Sequence, residues 1–174
     1  MRRITMRDFR WMGSPLVWEK DYRHVKLEVQ AHMCLPTGPM LLAVSDESFQ
    51  FEAALNVPPE GGFAGLCVYH LDTTFAAVGC NRKAIEIHTS IGGHRSRSSL
   101  AHAFEADEIT WLLKRTEAQV AIGYRREKGK EEVWIGYFNL PGTEQSISFG
   151  PYFSNATQQS MPGWMHSVQY TKEA

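Results

Sequence analysis

The side chains best placed to do chemistry are two carboxylates in alternating segments, Glu52 and Glu86, together with seven histidines, three cysteines and several aromatics set among apolar neighbours. Cleaving a glycosidic bond takes a pair of carboxylates about 5–10 Å apart. Glu52 and Glu86 are the acids at strand centres that could share a face, but solvated outer-face carboxylates are the favoured reading, so no catalytic residue is assigned. The histidines are His24, His32, His70, His88, His94, His102 and His166. None forms H-x-H, H-x-x-x-H or H-E-x-x-H, and no cysteine lies at ligand spacing, so neither a metal nor another cofactor is expected. Cys34, Cys67 and Cys80 are odd in number and lack C-x-x-C spacing, which reads as reduced thiols in a cytosolic protein. Cys67 and Cys80 fall on neighbouring strands, so a redox pair is conceivable, although a buried thiol also serves as a small apolar filler.

Binding chemistry is better represented than catalysis. A sugar presents apolar C–H faces edged by hydroxyls, and is held by an aromatic platform rimmed with amide or charged groups. Alternation directs Glu86 and His88 away from Ile85 and Ile87, and Arg125 outward beside Tyr124. The resulting candidate patch is Gln50, Glu52, Tyr69, Glu86, His88, Arg125 and Trp134, with Tyr69 and Trp134 as the stacking groups; the face that Trp134 occupies is open at this point. A solvated sheet face is the alternative reading. His94, Arg95, Ser96 and Arg97 form a basic run that could grip a phosphate or an acidic partner, against the plainer reading of a solvated loop.

These groups sit in a chain dominated by period-two alternation, which predicts strands with one buried face. Residues 24–31 put Val25, Leu27, Val29 and Ala31 on one side. Residues 48–57 repeat this with Phe49, Phe51, Ala53, Leu55 and Val57 against Gln50, Glu52 and Asn56. Residues 63–70 are apolar on both faces, as in a central strand covered on both sides. Further strands are predicted over 75–80, 84–89, 109–116, 119–126, 133–138, 146–153 and 164–171, with a hairpin tip centred on Gly129. Residues 90–99 read as a polar loop, and 100–108 as an irregular edge or one helical turn. Short strands joined by short polar turns indicate a sandwich or barrel. The predicted core is Leu27, Val29, Phe51, Leu55, Leu66, Val68, Ile85, Ile87, Leu113, Val120, Ile122 and Val168.

The chain has 174 residues, 43% hydrophobic and 21% charged, which fits one folded domain over 1–174 with its core at about 8–171 and argues against disorder. Eighteen basic and nineteen acidic residues leave a net charge of −1, so no footprint for nucleic acid or an anionic membrane is present. Arg7, Asp8 and Arg10 interrupt any apolar run behind Arg2 and Arg3, so no signal peptide is expected. No stretch approaches the roughly 18 apolar residues of a membrane helix. A cytoplasmic location is the expectation.

The order of the segments carries a resemblance. A Trp11…Trp18 opening is followed by Ser48-Phe49-Gln50-Phe51-Glu52-Ala53, by Gly61-Gly62-Phe63-Ala64-Gly65-Leu66-Cys67-Val68-Tyr69, and by Ile85-Glu86-Ile87-His88. Then come Trp111-Leu112-Leu113-Lys114-Arg115-Thr116, Val120-Ala121-Ile122-Gly123-Tyr124 and Phe149-Gly150-Pro151-Tyr152-Phe153-Ser154. This resembles the concanavalin A-like "regulation of enolase protein" domain family and the accessory sandwich of some bacterial β-xylosidases. The resemblance implies an all-β, concanavalin A-like jelly-roll sandwich of two antiparallel sheets, many relatives of which bind sugars on the concave sheet. Hydrolases on this fold carry E-x-D-x-x-E or E-x-D-x-E on one strand, and this chain has no such run. Its last strand reads Ser167-Val168-Gln169-Tyr170, without the acidic residue common there, which argues against carrying over a structural calcium. The expected function is a non-catalytic module binding a saccharide or small polar ligand. The alternative is an intracellular regulatory or protein-interaction domain with a protein partner, and a glycoside hydrolase ranks last.

Overall fold

The computed structural model describes residues 4–33, 38–117, 119–126, 131–141 and 146–173. Cys34, Ala118, Gly142 and the hairpin tip at Gly129 lie outside the described residues. Among the described residues, fourteen strands follow a 3-10 turn at Met6–Asp8. They are β1 (Arg10–Met12), β2 (Trp18–Lys20), β3 (His24–Val29), β4 (Met40–Ser45), β5 (Phe49–Asn56), β6 (Gly62–Leu71) and β7 (Thr74–Cys80). The chain continues through β8 (Ala84–Ile91), β9 (His94–Ala101), β10 (Glu108–Thr116), β11 (Gln119–Arg125), β12 (Glu132–Asn139), β13 (Ile147–Asn155) and β14 (Met161–Lys172).

The strands form two seven-stranded antiparallel sheets, ordered β1-β4-β13-β6-β7-β8-β9 and β12-β11-β10-β5-β14-β3-β2. This is the all-β, concanavalin A-like jelly roll. Local hairpins build the β6–β9 and β10–β12 meanders. The last two strands close the fold: β13 inserts between β4 and β6, and β14 between β5 and β3.

Between the sheets lies one apolar core. Phe49, Phe51, Ala53 and Leu55 on β5 are fully buried in it, while Gln50 and Glu52 alternate outward and are half-buried. Phe9, Phe49, Phe51 and Phe149 pack with ring centroids 4.6–5.9 Å apart. Each buried Phe stabilises by about 1.5–3 kcal/mol relative to exposure. Ten of the twelve predicted core residues are buried there, and Ile87 and Val168 pack against it half-buried. The doubly apolar β6 is the middle strand of its sheet: Leu66 and Val68 face the core, whereas Phe63, Cys67 and Tyr69 face outward. They join Met40, Leu42, Phe75, Ala77 and Tyr152 in a second buried cluster on the outer face. Cys67 and Cys80 therefore lie on opposite faces of one sheet, both as free thiols, so the redox pair is ruled out.

Two stretches depart from the expectations. Residues 94–99, expected as loop, join Leu100 and Ala101 in the edge strand β9, paired along its whole length with β8. The Gly92-Gly93 turn makes this possible, with φ of 60° and 84°, values that glycine adopts without steric cost. Residues 102–107 contain no helical turn. Arg82 holds them in place, donating to the carbonyls of Glu105 and Ala106 at 3.0 Å each and meeting Asp107 at 2.6 Å.

Candidate functional site

The outer face of the first sheet carries a cleft of about 260 Å³, lined by Gly62, Phe75, Glu86, His88, Arg95 and Arg97 among others. Strand parity builds it. Ile85 is in the core and Ile87 packs against it, so Glu86, His88 and Ser90 project outward from β8. Small residues stand next to them: His88 is opposite Ala77, and Glu86 is opposite Gly79, which in turn is opposite Gly65. A Cβ on Gly79 would lie 2.4 Å from the Ala64 carbonyl and 2.7 Å from the Phe63 ring, so glycine there lets Phe63 settle on the sheet. The Phe63 ring stands 4.9 Å from His88 and 5.5 Å from Tyr152. On the other side β9 places Arg97 opposite His88 and Arg95 opposite Ser90.

Charge in the cleft centres on Glu86, whose side chain is 8% exposed. Arg97 Nη2 donates to its Oε1 at 2.5 Å. His88 Nε2 stands 3.6 Å from its Oε2, an ionic distance rather than a hydrogen bond. Burial pushes the Glu86 carboxyl up, but the contacts and charges of His88 and Arg97 outweigh it and hold the group below its ordinary value. His88 Nε2 and Ser90 Oγ are both buried without a hydrogen-bond partner. Tyr69 faces the same side, stacked on Phe75 at 6.4 Å. Its hydroxyl donates to Asp72, and burial first, then Asp72, pushes the phenol up to about 12. Only 8% of Tyr69 is exposed, so it supports Phe75 rather than forming an open platform.

The other four residues of the predicted patch lie elsewhere. Gln50 and Glu52 on β5, Arg125 on β11 and Trp134 on β12 belong to the second sheet and face outward from it. Val133 packs against the core, which turns Trp134 to the outside, opposite Gly123. Arg125 Nη2 donates to Glu52 Oε2 at 2.9 Å. The seven residues thus form two groups on opposite outer faces of the sandwich, not one patch. Parity determines which residues share a face, but strand order determines which sheet they are on, and β5 pairs with β10 and β14 rather than with β6. The same separation keeps Glu52 and Glu86 from acting on one bond.

Sequence reasoning offered Arg95 and Arg97 only as a separate anion-gripping run, not as neighbours of Glu86 and His88, and did not place Ser90 or Phe63 in a site. The available signal was Gly92-Gly93, a hairpin turn that would have brought β9 beside Glu86. It also missed a group on the second face, where Glu108 Oε2 accepts from His166 Nε2 at 2.7 Å and from Trp164 Nε1 at 3.1 Å.

Fold and cleft together define a concanavalin A-like sandwich with a small polar pocket on one outer face. No protein-family model and no curated protein matches the chain. Among solved structures, it is similar to a functionally unknown protein from Saccharomyces cerevisiae, with a TM-score of 0.85 and 13% identity over 98% of this chain and 100% of that one. It is also similar to xylan β-1,4-xylosidase from Bacillus halodurans, with a TM-score of 0.70 and 14% identity over 86% of this chain. The GH43 protein BlXynB from Bacillus licheniformis aligns with a TM-score of 0.74 and 12% identity over 99% of this chain. The chain matches 33% and 38% of those two longer proteins. At these identities the likeness is one of fold. It supports a sandwich like the xylosidase accessory domains, and does not extend to the enolase-regulation family.

Proposed function

We propose that this chain is a non-catalytic binding module, a single sandwich whose site is the Glu86–His88 cleft and whose ligand is a saccharide or similar small polar molecule. The observation that carries the reading is His88 Nε2, which lines the cleft buried and without a hydrogen-bond partner, beside the ion pair of Glu86 and Arg97. Such a group is costly to leave unsatisfied, and hydroxyls that both donate and accept suit it. Phe75 lines the cleft but is only 3% exposed, so the contacts the cleft offers are chiefly polar. At about 260 Å³ the cleft is just under the roughly 300–1,000 Å³ of pockets for drug-sized ligands, so the ligand is small. The buried free thiols Cys67 and Cys80 fit a reducing, cytoplasmic setting. The xylosidase named in the structural neighbours is a property of those longer proteins, and this reading does not depend on it.

Thermal-shift and calorimetric screening against neutral and acidic monosaccharides tests the proposal. Binding should be lost in His88→Ala and Glu86→Gln and kept in Trp134→Ala. Failure of every sugar, or binding indifferent to His88 and Glu86, would refute it.

A regulatory or protein-interaction role has one observation in its favour. Leu16, Val17, Trp18 and Tyr22 are 80%, 57%, 44% and 67% exposed along one short stretch that includes edge strand β2. No helix of the described residues is long and apolar enough to cross a membrane.

A further inference from the structure

We infer that the ligand of this cleft carries an anionic group, a carboxylate or a phosphate on a sugar-like body, held at the Arg95 end. The inference rests on the cleft being the binding site and adds the charge of its ligand.

The charges facing the cleft do not cancel. Glu86 and Arg97 neutralise each other through their ion pair. Arg95 lines the same cleft and has no hydrogen-bonding or ionic partner among the described residues. Asp72, in the turn before β7, accepts from the Tyr69 hydroxyl. One guanidinium is therefore left over in the cleft.

The placement of Arg95 gives the surplus a direction. In register it stands opposite Ser90, which is 0% exposed with an unpartnered Oγ, and Ser90 stands opposite Phe75. Arg95 and Phe75 both line the cleft, with the fully buried Ser90 between their strands. A guanidinium fork matches the two oxygens of a carboxylate or phosphate. A ligand with its anion at Arg95 lays its body toward Phe75 and its hydroxyls toward His88 and Glu86. The basic segment 94–97 thus acquires a role that a solvated loop would not give it.

The experiment is calorimetric titration of the intact protein with matched probes: glucose, glucuronate and glucose 6-phosphate, galactose with galacturonate, and inorganic phosphate alone. At least one acidic sugar should bind about tenfold or more tighter than its neutral parent, the gain expected of a charge-assisted hydrogen bond. Comparing glucuronate with glucose 6-phosphate separates carboxylate from phosphate as the source of the charge. Arg95→Ala should abolish the acidic advantage, read as the ratio of acidic-sugar to neutral-sugar affinity in the same variant. Arg95 is exposed on an edge strand, so an unaltered melting temperature confirms that the variant is folded. Neutral sugars binding as tightly as acidic ones, or an acidic advantage that survives Arg95→Ala, would overturn the anionic assignment and leave the cleft as a sugar site. Inorganic phosphate binding as tightly as every sugar acid would overturn it as well, showing a bare anion site. No binding by any probe would overturn this inference and the binding reading together.

Discussion

Glu86 and Arg97 meet diagonally across the β8–β9 pair, since Glu86 stands opposite Ser99 and Arg97 opposite His88. An edge strand with no apolar face is thereby tied to the sheet beside it by one buried carboxylate. The arrangement serves stability and site at once: it holds β9 as the wall of the cleft and keeps Glu86 ionised beside His88.

Arg97→Ala should cost about 1–2 kcal/mol in urea denaturation, between the values for exposed and buried ion pairs, because Arg97 itself is 63% exposed. Glu86 supplies a pH signature. Its folded value lies below its unfolded value near 4.5, so its contribution is present above that pH and is lost as pH falls through the folded value. Between about pH 6 and pH 3, Glu86→Gln should lose stability less steeply than the parent. Parallel pH profiles for the two proteins would contradict the assignment.

Arg115 is a structural residue and not a site residue. It is 2% exposed, and its guanidinium donates to the carbonyls of Glu117 at 2.9 Å, Ser45 at 3.2 Å and Glu47 at 3.1 Å. It thus joins the end of β10 to the β4–β5 turn, which explains the Leu113-Lys114-Arg115-Thr116 segment by packing. Arg115→Lys, which loses the fork but keeps the charge, should cost about 1–3 kcal/mol without altering ligand affinity. A loss below about 0.5 kcal/mol would show that the fork contributes little.

The buried thiols should be inert. Burial pushes Cys67 far up and Cys80 up to about 12. In a Cys34→Ser background, a thiol-reactive disulfide reagent should label neither residue in the folded protein and both after denaturation. Rapid labelling of the folded protein, or an intramolecular disulfide under mild oxidation, would contradict the placement of the two sulfurs on opposite faces.

Much of the fold was legible because most strands have one apolar face. Phe49, Phe51, Ala53 and Leu55 announce β5, and Ile85 and Ile87 announce β8 and the outward direction of Glu86 and His88. The short edges β1 and β2 were not legible, because three residues cannot show a period. Nor was β9, whose eight residues are all exposed. The site was half legible for a different reason. Alternation places Glu52 and Glu86 on outer faces, but the sheet each belongs to is settled by β13 and β14, which enter both sheets from the far end of the chain. No local pattern at Glu52 or Trp134 carries that information.

The central claim is that the cleft beside Glu86, and not the face around Trp134, is the binding site. Chemical-shift mapping of isotope-labelled protein titrated with xylose and with glucuronate tests it most directly. The account predicts saturable shifts at Phe75, Glu86, His88, Ser90 and Arg95 for at least one of the two sugars, with Glu52, Arg125 and Trp134 unmoved. Saturable shifts confined to the Glu52, Arg125 and Trp134 face, or none with either sugar, would contradict it.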